Sequence, residues 1–396
     1  MSLTRRHLLG SMLGTAAAEA ATGCAAPPGR TTSADTPNPE PSLDAIARLK
    51  GLRFGSAVGS LSVWRQAPGL DGERYRNLVA RECGLVVPEN ALKWPALRPS
   101  ADRFDFDAAD ALLAWAQQRG LALRGHTLLW QGSRWFPSWV NRHDFGSQPV
   151  RESERLLGEH IGTVCRHYGP TIASWDVLNE AVSHDTGQLR DNAFTPHLGN
   201  LGQIELAFHL AHEHAPQAQL VYNDYMGWGS ASAVHRAGVL RLLHSLRARQ
   251  VPVHALGLQS HLAIAAEREI VSPGGQRERE WRAFLDEVTA MGLDLLITEL
   301  DVNDRQMPAD PAQRDVEVAA QARDYLDLSL SYPRLRTLMV WGLADPVSWL
   351  QTWQPRNDGL DKRPTPYDAA LRPKLLREVL AQAFRAMPPR AAMLPG

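Results

Sequence analysis

The chain is poor in cysteine, nearly neutral and without a long apolar run, and each shortage removes a class of protein. Three cysteines among 396 residues, none of them in a CxxC pair, exclude a disulfide-stapled scaffold and a zinc ribbon. A formal net charge of −1, with basic residues dispersed rather than striped, leaves no field that would gather nucleic acid or anionic membrane. No apolar stretch reaches the roughly 20 residues of a membrane-spanning helix. Neither a P-loop nor a glycine-rich dinucleotide fingerprint follows a strand-like run, so no cofactor is expected. What is plentiful is tryptophan, 12 residues, several beside polar neighbours, where an indole face suits a sugar ring as well as a core.

Thr4-Arg5-Arg6-His7-Leu8-Leu9-Gly10 sets paired arginines before a modest apolar stretch from Leu8 to Ala18, the pattern of a twin-arginine export signal. Residues 1–24 are expected to be that signal, and the protein to be periplasmic or extracellular. Ala21-Thr22-Gly23-Cys24-Ala25 admits two readings: a lipobox that would anchor the protein through Cys24, or an ordinary signal-peptidase site with an incidental cysteine. Residues 25–42, rich in Pro, Thr, Ser and Asp, carry too little apolar area to fold and read as a disordered tether. Cys83 and Cys165 are expected to be buried free thiols.

From Leu43 onward, strand-like runs alternate eight times with longer amphipathic segments. The runs are Arg53 to Ser60, Leu85 to Asn90, Ala122 to Trp130, Ser174 to Ala181, Gln219 to Tyr225, Ala255 to Leu262, Leu295 to Val302 and Thr337 to Leu343. Phe106 to Arg119 and Arg151 to Tyr168 follow a 3.6-residue apolar pattern and stop at Gly120 and Gly169. This alternation predicts an α/β fold, a single-domain (β/α)₈ TIM barrel over residues 43–390; separately, a monomer is expected. A charged stretch from Ala265 to Glu280 reads as an enlarged loop after the sixth strand.

Polar residues gather at the C-terminal ends of these runs: Glu89-Asn90, His126 with Trp130, Asn179-Glu180, Asn223-Asp224-Tyr225, Gln259 with His261, Glu299 with Asp301, and Trp341. Chance would scatter them along both ends, so the clustering predicts one cup lined by carboxylates, amides, imidazoles and indoles. One carboxylate at a strand end is an ordinary stabilising group. Two, Glu180 and Glu299, closing runs of the same construction, are what glycosidic-bond cleavage needs.

Trp175-Asp176-Val177-Leu178-Asn179-Glu180-Ala181 and Ile297-Thr298-Glu299-Leu300-Asp301 resemble the acid/base and nucleophile motifs of glycoside hydrolase family 10, the endo-β-1,4-xylanases. The resemblance extends to Pro88-Glu89-Asn90-Ala91-Leu92-Lys93-Trp94, Gly125 to Trp130, Tyr222 to Tyr225, Leu258 to His261, Trp341 to Asp345 and Ser348-Trp349. It implies a retaining endo-1,4-β-xylanase acting on xylan or xylo-oligosaccharides without metal or cofactor, with Glu180 as acid/base and Glu299 as nucleophile. His261, steadied by Asp301, is implied as the partner that keeps Glu299 ionised, while the charge of Glu299 helps keep Glu180 protonated. Asn179 is implied to bind the 2-hydroxyl, and Glu89, Asn90 and Lys93 the next sugar, with a Glu89–Lys93 ion pair as the structural counterpart. His126 and Gln259 would bond the reacting sugar, Trp130, Trp341 and Trp349 would wall the inner subsites, and Tyr225 would line the leaving-group side. Two other readings stand beside this one, a related barrel glycosidase on another β-1,4-glycan and a non-catalytic glycan-binding lipoprotein.

The sequence departs from the family pattern after Trp130, where Gln131 replaces a usual histidine and Gly132-Ser133-Arg134-Trp135 follows. Gln131 cannot carry charge, so the polar support of the catalytic pair is expected to be rewired there. Arg356, Lys362 and Arg363 admit two readings, contact with acidic side groups of xylan or a surface coat. His209, His212 and His214 have a spacing that suits metal, but they end an amphipathic helix before Pro216, away from the expected cup, and no metal site is expected.

Overall fold

A computed structural model describes residues 40–59, 70–264 and 274–391; the expected export signal, Cys24 and residues 25–39 of the expected tether lie outside them. The strands are β1 (Arg53–Val58), β2 (Leu85–Pro88), β3 (Ala122–Trp130), β4 (Ile172–Asn179), β5 (Gln219–Asp224), β6 (Ala255–Leu258), β7 (His261–Ala263), β8 (Asp294–Asn303) and β9 (Leu335–Val340). Eight of them close a parallel ring in the order β1-β2-β3-β4-β5-β6-β8-β9, with β9 returning to β1. This is the expected (β/α)₈ barrel.

The alternation of the strands sets what faces where. On β3 and β4, Gly125 pairs with Trp175 and His126 with Asp176. Trp175 is fully buried, and removing an indole of about 200 Å² from water contributes up to about 5 kcal/mol. Gly125 makes room for it, since a Cβ there would lie 2.0 Å from the indole. On the alternate positions Asp176 accepts from Arg124 at 2.5 Å and pairs with His126 Nδ1 at 3.0 Å, all three side chains buried. A buried cation paired with a carboxylate under the cup fixes the orientation of His126.

The helices follow the amphipathic segments. Asp107–Gln118 and Pro149–Tyr168 end at left-handed Gly120 (φ +68°) and Gly169 (φ +49°), conformations that favour glycine. Cys83 and Cys165 are buried and unpaired, as expected. Two boundaries differ from expectation. Residues 265–273 of the charged segment lie outside the described residues, and its remainder joins a helix, Gln276–Ala290. The sixth run breaks at Gln259-Ser260, where Ser260 adopts φ +64°; the continuation, β7, then pairs with β8 alone and sets His261 beside Asp301.

His160 supplies a pH dependence of stability. Its ring lies flat on Trp94 (centroids 3.8 Å apart, planes 1° apart), fully buried, with both nitrogens unpartnered. Burial, with the charge of Arg98, holds its pKa well below the ordinary histidine value. As pH falls below about 6.5 the unfolded chain takes up a proton that the folded one refuses. Stability from this group is therefore complete above that pH and lost below it, by up to about 1.4 kcal/mol per pH unit. Denaturant midpoints between pH 7 and 5 should fall less steeply in His160→Phe than in the wild type.

Candidate active site

All fourteen residues singled out from the sequence line one cleft of about 1020 Å³ at the C-terminal ends of the strands. Its centre is Glu299 on β8, buried to 5 % exposure. Asn223 on β5 donates to Glu299 Oε1 at 2.7 Å, and His261 Nε2 donates to Oε2 at 3.1 Å. His261 Nδ1 donates to Asp301 Oδ1 at 2.9 Å, and the other Asp301 oxygen accepts the Trp349 indole N–H at 2.8 Å. Burial opposes ionisation of Glu299, but the His261 hydrogen bond, His126, the His261 charge and Asn223 outweigh it and hold the carboxyl below its usual range. Burial likewise opposes charge on His261, yet Asp301 and Glu299 raise its pKa to about 10. The pair is a carboxylate held by an imidazole whose raised pKa favours its protonated form.

Glu180 follows β4 and takes a left-handed backbone, φ +54°, uncommon for a residue with a Cβ and typical of functional positions. Its N–H donates to Asn223 O at 2.9 Å, and Gln259 Nε2 donates to its Oε1 at 3.3 Å. Burial raises its pKa, followed by the charge of Asp224; the Trp130 indole and Gln259 act in the opposite direction, and the charge of Glu299 adds less than either. Burial and the charge of Glu299 thus act on Glu180 in the expected direction, and Asp224 is a further negative neighbour that adds more than Glu299 does. Asp224 is fully buried behind Glu180 and accepts from Tyr222 OH and from Tyr225 N, with His235 Nε2 at 3.2 Å.

Asn179 Oδ1 accepts from Asn223 at 2.9 Å and from Gln259 at 3.3 Å, while its own Nδ2 is buried without a partner. An unpaired buried donor in a polar cleft is a group kept for a ligand oxygen. Lys93 Nζ donates to Asn90 Oδ1 at 2.8 Å and sits 4.7 Å from the Trp130 ring, so its direct bond is to Asn90 and the local contact differs from a simple Glu89–Lys93 pair. Glu89 is pushed up by burial against the lowering pull of Lys93, and Lys93 is pushed down by burial against the charges of Glu299, Glu89 and Glu180. Tyr225 OH accepts from Arg190 and is fixed at the cleft wall.

Aromatic rings run through the cleft in series. Trp135 touches Trp130 (3.8 Å between centroids), Trp130 touches His126 (5.8 Å), and His126 touches Trp341 (5.5 Å). Trp341 then meets His261 (6.4 Å), His261 meets Trp349 (5.0 Å), and Trp349 meets Trp353 (5.1 Å). Trp135 and Trp353 extend the line beyond the residues expected from sequence.

Three expectations about neighbouring residues change. Gln131 is fully buried, donates to Arg190 O at 2.7 Å and accepts from Asn192 at 3.1 Å; it fastens the segment after β4, and among the described residues its side-chain hydrogen bonds do not reach Glu180 or Glu299. Arg356 and Lys362 are buried, so neither reading for them holds. Lys362 Nζ donates to the carbonyls of Leu350 (2.5 Å), Trp353 (2.6 Å) and Gln354 (2.7 Å), and Arg356 donates to Asp304 O and Met307 O. Arg363 is spent on a two-bond pair with Asp315, both at 2.7 Å. Together Lys362 and Arg356 brace the turns that carry Trp349 and Trp353. Lys362→Met should leave three carbonyls unsatisfied, lowering stability by about 3 kcal/mol and raising KM severalfold as Trp349 loosens; thermal melting and Michaelis kinetics would show both.

Asn223, which links Glu299 to Asn179, is a residue that strand-end clustering placed but did not single out. Its Oδ1 accepts from Thr298 at 2.7 Å, which turns its amide toward Glu299 and Asn179. The inward register of β5 was the available signal. His209, His212 and His214 end the helix Asn200–His214, outside the residues that line the cleft.

The sequence model of glycosyl hydrolase family 10 matches residues 42–383. Endo-1,4-beta-xylanase A of Fusarium oxysporum f. sp. lycopersici is 31% identical over 82% of this chain and 95% of its own length. Endo-1,4-beta-xylanase B of Paenibacillus barcinonensis is 31% identical over 84% and 96%. Among solved structures, native xylanase 10B of Thermotoga maritima superposes with a TM-score of 0.75 at 27% identity, over 87% of this chain and 98% of that one. Xylanase 10B of Thermotoga petrophila RKU-1, solved with xylobiose, gives 0.75 at 26%, over 87% and 97%. With two carboxylates in unlike settings at the mouth of the barrel and a family match across nearly all the described residues, the chain belongs to glycosyl hydrolase family 10.

Proposed function

We propose that the chain is a retaining endo-β-1,4-xylanase in which Glu299 is the nucleophile and Glu180 the acid/base. The observation that carries this is the division of labour between two buried carboxyls: one held ionised by His261 and Asn223, the other pushed toward protonation by burial and Asp224. In the first step Glu299 attacks the anomeric carbon while Glu180 passes its proton to the leaving oxygen, giving a glycosyl-enzyme and a shortened chain. In the second, ionised Glu180 takes a proton from water, whose oxygen displaces Glu299. Protonated His261, whose pKa Asp301 and Glu299 raise, stabilises the Glu299 carboxylate when it is released.

Xylose is favoured over glucose by crowding. Glu89, Lys93 and Trp341 stand in the same cleft, and on this reading they would crowd the hydroxymethyl group of a glucose unit. The paired arginines at Arg5-Arg6 and the apolar stretch after them support export to the periplasm or beyond, with lipidation at Cys24 as a separate step that labelling with a fatty-acid analogue would detect. The substrate reading is tested by reducing-sugar release from xylan and from β-1,4-glucan. Faster release from glucan would sink it.

A further inference from the structure

The aromatic line ends on a cation, Arg134, that pairs with no carboxylate among the described residues. Trp135 lies against Trp130 with planes 15° apart, Lys93 sits 4.7 Å from the Trp130 ring, and the Arg134 guanidinium carbon lies 4.5 Å from the Trp135 centroid. Two stacked indoles thus carry a cation at each end. Lys93 is neutralised, since it bonds Asn90 and feels Glu299, Glu89 and Glu180. Arg134 is exposed at the wall of the same cleft. Among the described residues it pairs with no carboxylate, and its contact is the Trp135 ring.

An exposed arginine is ordinarily a solvated surface charge. Arg134 differs in being mounted. A guanidinium that spends its face on an indole keeps its in-plane N–H fork open, and its lost rotamer freedom no longer has to be removed by a ligand. The geometry points to Arg134, held on Trp135, as a subsite for a carboxylate carried by the glycan, a uronic acid branching from the β-1,4-linked chain. This rests on the xylanase reading above and adds to it. A neutral xylan has no group that matches a guanidinium, whereas a carboxylate pairs with it through two parallel bonds. Deeper in the cleft ionised Glu299 would repel that carboxylate, so the branch is accepted at the exposed wall where Arg134 stands. Trp135, occupied by Trp130 and Arg134, serves as the mount and not as a sugar platform.

The test compares glucuronoxylan with the same polymer after carboxyl reduction, which keeps the branch and removes its charge. Wild-type kcat/KM at low salt should favour the acidic polymer severalfold, and added salt should erase the preference. Arg134→Gln should lose about tenfold more on the acidic polymer than on the reduced one, with Arg134→Lys in between. Equal losses on both polymers would overturn the inference. So would a selective loss in Arg305→Gln, at the cleft wall where its Nε donates to Pro355 O, with none in Arg134→Gln. Cleavage of neither polymer by the wild type would instead overturn the activity reading, and this inference with it.

Discussion

Replacing Glu299 by Gln is expected to lower kcat on xylo-oligosaccharides by roughly four orders of magnitude or more, with binding close to that of the wild type. The amide matches the carboxylate in shape but has no charge with which to attack. It also disturbs the group beneath it. If its oxygen keeps the bond from Asn223, its NH₂ faces His261 Nε2, which donates to Glu299 in the wild type. His261 would then be held protonated by Asp301 alone and would titrate at a lower pH. Single-turnover kinetics with calorimetric binding separates loss of chemistry from loss of binding, and equal turnover by both proteins would remove Glu299 from the mechanism.

Glu180→Ala is expected to cost about 10²–10⁴ in kcat/KM on xylan, whose leaving alcohol needs a proton. On an aryl xylobioside with an acidic phenol the loss in the first step should be far smaller, because that leaving group departs unprotonated. The pH profile should change with it. Activity needs Glu299 ionised and Glu180 protonated, so in the wild type it rises as pH passes the depressed pKa of Glu299 and falls as pH passes the raised pKa of Glu180. The alanine variant should lose the alkaline fall and keep the acid rise. A loss independent of the leaving group would argue that Glu180 does not act as the acid.

Much of this was legible in the chain because barrel strands announce themselves by length and their ends by polarity. β3 runs from Ala122 to Trp130 as its periodicity indicated, and every residue singled out for the site lines the cleft. The differences have physical causes. The break at Ser260 depends on a left-handed residue without a glycine, which propensity disfavours and a two-residue alternation does not register. Asn223 was visible as a strand-end amide, but its role follows from which barrel neighbour it faces, a matter of register. Lys362 and Arg356 looked like surface charge because their partners are backbone carbonyls, and carbonyls leave no mark in a sequence. Gln131 stood where a substitution suggested catalytic rewiring, yet its side chain turns toward Arg190 and Asn192. The dominance of Asp224 over Glu299 as the neighbour of Glu180 is likewise set by packing across β4 and β5.

Incubation with a 2-deoxy-2-fluoro-xylobioside carrying an activated leaving group, followed by peptide mass mapping, addresses the central assignment most directly. The fluorine slows both steps, the good leaving group restores the first, and the glycosyl-enzyme accumulates. One fluoroxylobiosyl adduct is expected, on the peptide that contains Glu299 and at that residue. An adduct on Glu180, or turnover with inversion at the anomeric carbon and no covalent species, would contradict it.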